Sequence, residues 1–150
     1  MKSLELSINI KEISEVSYRQ SPLPISQDEI IYGENLIIGL GFDFSINIDE
    51  ELFDLKTLIR YIIEGIAEPI LELETNISFH VINLKSVISE SEKGQLDIDD
   101  NFLSTLMGVC IGTSRGILSN NTKGTEMSKY PLPLLNPTDI LNDIQKKDTE

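Results

Sequence analysis

Leu36, Ile38, Leu40, Phe42, Phe44, Ile46 and Ile48 fall on every second position, separated by Ile37, Gly39, Gly41, Asp43, Ser45 and Asn47. A period of two marks a strand with one face against a core. The same alternation runs through Leu4, Leu6, Ile8 and Ile10, and again through Leu71, Leu73, Thr75, Ile77, Phe79 and Val81. Residues 52–64 fit two periods. Leu55, Ile59, Ile62 and Ile63 have helical spacing, whereas Leu55, Thr57, Ile59, Tyr61 and Ile63 have strand spacing. β-Branched and aromatic residues dominate, which favours the strand. Asp49-Glu50-Glu51 and Gly65 to Pro69 supply short turns. Segments 36–48, 52–64 and 71–81 therefore predict an antiparallel meander. Before it stands a loop rich in turn residues, from Ser21-Pro22-Leu23-Pro24 to Gly33.

The period changes near residue 102. Phe102, Leu103, Leu106, Met107, Cys110, Ile111, Ile117 and Leu118 share one side of a helix predicted over 102–119. The other side carries Ser104, Gly108, Gly112 and Gly116, four residues apart, with Arg115 as its only long side chain. Each helical glycine costs about 0.8–1 kcal/mol relative to alanine, so the spacing implies close packing. The chain offers few other helices, which points to a helix of another subunit. Packing within the domain is the alternative. Asp97, Asp99 and Asp100 suit the helix start, and Asn120, Asn121 and Gly124 suit its end. After residue 100 the pattern reads Tyr130-Pro131-Leu132-Pro133-Leu134-Leu135, extended because proline disfavours helix before it. Asn136-Pro137-Thr138-Asp139 then opens a second helix with apolar edge Ile140, Leu141 and Ile144. Residues 1–145 read as one α+β domain: a four-stranded antiparallel sheet with a long and a shorter helix on one face. Residues 146–150 read as a polar tail.

Charge narrows the function. Against 25 acidic residues stand 12 basic ones, a net of −13. Nucleic acid and an anionic membrane surface both call for a basic face, so neither is an expected partner. No segment reaches the ~18 uninterrupted apolar residues of a membrane span, and MKSLELSINI has no signal-peptide apolar core. The single cysteine, Cys110, fits a reducing, cytoplasmic compartment. One His and one Cys make no His- or Cys-based zinc site. His80 sits on the polar face of its strand, away from Cys110, so no nucleophile–base pair is readable. Gly39-Leu40-Gly41 lies inside a strand and is not a phosphate loop. These absences argue against an enzyme and give no reason to expect a cofactor or metal.

What remains is apolar sequence outside the regular elements. Tyr130, Leu132, Leu134 and Leu135 either bury against the sheet or wall a groove with the second helix. Such a groove suits extended apolar polypeptide.

In element order, and most specifically in the segments TSRGILSNNTKGT and YPLPLLNPTDIL, the chain resembles the SecB-type export chaperones. The resemblance implies a homotetramer, a dimer of dimers, with the long helices between sheets. It implies an ATP-independent holdase binding unfolded clients beside the crossover loop and final helix, here Tyr130, Leu132, Leu134, Leu135, Ile140, Leu141 and Ile144. It also implies an acidic outer sheet face that meets the export motor SecA, with Glu72 and Glu74 as counterparts. SecB-like chaperones dedicated to an antitoxin, in toxin–antitoxin–chaperone systems, fit equally. The first loop and the C-terminal tail depart from the family. A sheet wrapping a long helix also suits hot-dog or cystatin-like ligand-binding modules, the alternative class.

Overall fold

The computed structural model describes residues 7–149, so Leu4, Leu6 and Glu150 lie outside the described residues. Four long strands form one antiparallel sheet: β1 (Ser7–Gln20), β2 (Leu36–Asn47), β3 (Leu52–Ile63) and β4 (Leu71–Ile82). Their order is β1-β4-β3-β2. The meander of β2, β3 and β4 is as the alternation predicts, and residues 52–63 are strand. The expected loop starts at Ser21, but β1 runs ten residues beyond Ile10. Register shifts between Ile10 and Glu12 and between Glu15 and Ser17 break its alternation. Each bulge moves the apolar phase, so Ile13 and Tyr18 return to the inner side opposite Ile77 and Leu73.

The long helix α1 spans Asp100–Asn121 and lies over β3 and β4. Asp99 caps it, its carboxylate accepting from the Phe102 amide at 2.9 Å. By length and composition α1 could cross a membrane. Here its apolar side instead covers the sheet, and Phe102, Leu106, Cys110, Ile111 and Leu118 are all buried. The second helix, α2 (Pro137–Thr149), begins at the expected cap, with Asn136 Oδ1 accepting from the Thr138 amide at 2.9 Å. The residues read as a tail differ from expectation, since the helix continues through Thr149. Between β4 and α1 lies a small hairpin, β5 (Ile88–Glu90) and β6 (Leu96–Ile98).

The core divides in two. One half gathers Phe53, Leu55, Ile77, Phe79, Phe102 and Leu106, and the other Ile59, Tyr61, Leu71, Leu73, Ile111 and Leu132. Between them, β3 and β4 pair Thr57 with Thr75, both buried. The Thr75 and Ser114 hydroxyls bond at 2.8 Å, satisfying each other between sheet and helix. Thr57 Oγ1 has no hydrogen-bond partner among the described residues.

This asymmetry has opposite consequences for two similar substitutions. Thr57→Val removes an unpaired buried hydroxyl and should stabilise by about 1 kcal/mol. Thr75→Val strands Ser114 and should destabilise by about 1–3 kcal/mol. Urea midpoints at unchanged slope measure both.

Candidate functional site

After α1 the chain makes a one-turn 3₁₀ helix at Glu126–Lys129 and then, from a bend at Tyr130, runs without regular structure through Leu135. Pro131 and Pro133 have no amide hydrogen, so this crossover segment is poor in donors. Its carbonyls are taken one after another by side chains. Tyr61 Oη donates to the Tyr130 carbonyl at 2.6 Å, and Tyr32 Oη donates to that of Pro131 at 2.8 Å. Arg115 takes the next two, Nε donating to Leu132 O at 3.0 Å and Nη2 to Pro133 O at 2.7 Å. Tyr61 comes from the core side of β3 and is fully buried. Burial, reinforced by the Tyr32 hydroxyl, raises its pKa well above the ordinary tyrosine value, so it stays a donor. The Tyr32 and Tyr130 rings meet with centroids 6.0 Å apart.

The seven expected groove residues separate into three groups. Leu132 and Leu141 belong to the core, at 3% and 5% exposure. Tyr130, Leu135 and Ile140 are half-buried against it. Leu134 and Ile144 face outward, Leu134 at 91%. Ile140 and Phe42 each pack against both halves of the core, and Phe42 belongs to the inner face of β2. That face is incompletely covered: Ile38, Leu40 and Phe42 are half-buried and Phe44 is exposed. Exposed Ile31 and Tyr32 add apolar surface from the first loop. They escape sequence reasoning because nothing periodic marks a loop residue. The clamp escapes it too: Tyr61 and Tyr130 are 69 residues apart, and Tyr32 and Pro131 are 99 apart. Arg115 alone left a trace, as the one long side chain among small ones.

The small face of α1 also divides. A Cβ at Gly108 would stand 3.3 Å from Pro137 Cγ, so the close approach there comes from the chain's own α2. At Gly112 and Gly116 a Cβ would meet nothing within 4 Å among the described residues. Ser104 is half-buried.

The outer sheet face is mixed rather than acidic. Glu72 bonds Arg19 at 2.6 Å and has Arg60 at 3.8 Å, so two guanidinium groups attend one carboxylate. Glu74 is half-buried and lines a concavity of about 270 Å³ with Gly41, Asp43, Lys56 and Leu58. Another, of about 580 Å³, lies among Asn9, Lys11, Glu50, Leu52 and His80. Gly39 and Gly41 sit in a β2–β3 register without a bulge. Among the described residues no three His, Cys, Asp or Glu side chains group to hold a metal ion. His80 is on the outer face and Cys110 is fully buried beneath α1.

No family model matches the sequence, and no curated protein matches it. Among solved structures the chain is similar to a crystal structure of a protein of unknown function from Streptococcus agalactiae. The two are 9% identical over 87% of this chain and 98% of that one, with a TM-score of 0.33.

Burial pushes the Cys110 thiol up from 9.0 to about 12. A raised thiol pKa in the folded state favours folding fully below pH 9, and that contribution fades as the pH climbs toward 12. Chemical denaturation across this range should show falling stability, with a shallower fall in Cys110→Ala. The native thiol should resist a thiol reagent at pH 8 and react on unfolding.

Proposed function

We propose that this chain is a SecB-like holdase that binds unfolded polypeptide without nucleotide and works as a dimer of dimers. The observation that carries the reading is the crossover segment. Its backbone carbonyls are held by Tyr61, Tyr32 and Arg115, while Leu134 projects into solvent. Fixing the backbone in advance reduces the ordering cost of capturing a mobile client. Affinity then comes from burying client side chains against Leu134, Ile144, Tyr130 and the half-covered inner face of β2, at about 25 cal/mol per Å² before ordering costs. The chain's net charge of −13 disfavours acidic clients.

Assembly is supported by what the protomer leaves bare. Gly112 and Gly116 weaken α1, and a Cβ at either would meet nothing among the described residues. On β1, Ile10, Ile13 and Val16 are nearly half exposed. Ile10 and Ile13 lie on the sheet face that α1 covers elsewhere, opposite buried Phe79 and Ile77. A second protomer laid on this side would bury both surfaces.

Within the family, the paired state of Glu72 favours a dedicated client such as an antitoxin over docking on the export motor SecA. A carboxylate already shared by two arginines offers little to a basic partner.

The test of client binding is suppression of aggregation of a reduced, denatured model protein in the absence of ATP. The double variant Leu134→Asp with Ile144→Asp should lose suppression while retaining its circular dichroism and mass. Failure of the unmodified protein on several unrelated clients, with tight binding of one antitoxin segment, would replace the general holdase by the dedicated one. Failure on every unfolded chain would leave the interaction-module alternative.

Assembly has its own test. Light scattering on a sizing column should give a tetramer at micromolar concentration. Gly112→Leu should split it at unchanged protomer fold, because the added side chain clashes only with a partner. A monomer in the unmodified protein would end the assembly reading.

A further inference from the structure

Leu132 and Leu134 are two residues apart in one crossover segment, yet one is 3% and the other 91% exposed. An isolated apolar side chain so fully in water would gain by rolling inward. Something must set the rotation of the segment about its own axis. Prolines fix two φ angles but not the direction in which the whole segment faces. The hydrogen bonds do. Arg115 sits on α1 between Gly112 and Gly116, and its guanidinium donates through Nε and Nη2 to two consecutive carbonyls, Leu132 O and Pro133 O. Successive carbonyls of a regular strand point opposite ways, so one planar fork holding both fixes a particular local twist. Among the described residues Arg115 makes no ion pair, so its charge is free for this purpose.

We propose that Arg115 is a positioning residue: its fork sets the twist of the crossover segment so that Leu132 is buried and Leu134 is presented to clients. The proposal rests on the chaperone reading above for its functional half. Its structural half, the outward orientation of Leu134, stands apart from any client. A lysine cannot replace the fork, since one ammonium on a flexible stem grips one carbonyl as a point and leaves the twist free. With the fork gone the segment samples inward orientations of Leu134. Client affinity then falls by the fraction of time the binding orientation is lost.

The protein has no tryptophan, so Leu134→Trp places a single reporter at the position in question. In that background, without client, Trp emission should be solvent-like and readily quenched by acrylamide. Adding Arg115→Met should shift the emission to the blue and reduce quenching. Adding Arg115→Lys should do the same to a lesser extent, and it serves alone should the Met variant fail to fold. In the chain with Leu134 intact, Arg115→Met should weaken binding of a labelled unfolded client about tenfold, with mass and circular dichroism preserved. A merely structural arginine would lower the melting temperature without moving the Trp emission. Unchanged emission and quenching in both Arg115 variants overturns the positioning role. A shifted emission with undiminished client affinity overturns the link to clients. If the unmodified protein binds no unfolded chain while the emission still shifts, the chaperone reading fails and the orientation by Arg115 survives.

Discussion

Every other feature hangs on the contact between α1 and the inner faces of β3 and β4. Strict alternation on these two central strands puts one row of large side chains under the helix, and α1 answers with Phe102, Leu106, Ile111 and Leu118. Once this layer forms, the remaining elements attach to the helix rather than to the sheet alone. The Asp99 cap ties its start to the small hairpin, where the Asp99 amide donates to Val87 O. α2 lies against Gly108 through Pro137. The crossover segment is held from the helix by Arg115 and from the sheet by Tyr61. The polar seam of Thr57, Thr75 and Ser114 sits at the middle of that contact and separates two apolar halves. One half serves the hairpin end of the molecule and the other serves the crossover end.

The elements most visible in the sequence are those whose side chains face a uniform environment. β3 and β4 read cleanly because each buries one face along its whole length, and β2 because its alternation pairs with β3 without interruption of register, although its inner face is only partly covered. Asp99 and Asn136 read cleanly because capping is local chemistry. The second half of β1 was hidden because two bulges shift its phase. β5 and β6 were hidden because three-residue strands are too short to show a period. The end of α2 was hidden for a third reason: residues after Ile144 offer no apolar position to mark a face.

The candidate site was legible as a segment and illegible as an arrangement. Tyr130 to Leu135 is apolar by composition, and the structure leaves it without helix or strand. Which leucine turns inward depends on hydrogen bonds from Tyr32, Tyr61 and Arg115, three residues of different elements. Glu72 likewise reads as one of two carboxylates on a strand, and its arginine partners come from β1 and β3. Residue type survives in sequence, whereas neutralisation by a neighbouring strand is a tertiary fact. The glycines of α1 show the same division. One spacing covers two circumstances, since a Cβ at Gly108 would have a close neighbour and one at Gly112 or Gly116 would have none among the described residues.

The capture of four consecutive carbonyls in the crossover segment bears on a hazard of its own. A leucine-rich extended stretch exposed at the surface is the kind of sequence that recruits copies of itself into cross-β fibrils. Fibril growth needs free amides and carbonyls to carry the ladder from chain to chain. Here two amides are absent as prolines, and the carbonyls from Tyr130 to Pro133 are already engaged. The segment therefore displays Leu134 to water while offering little backbone template for such pairing.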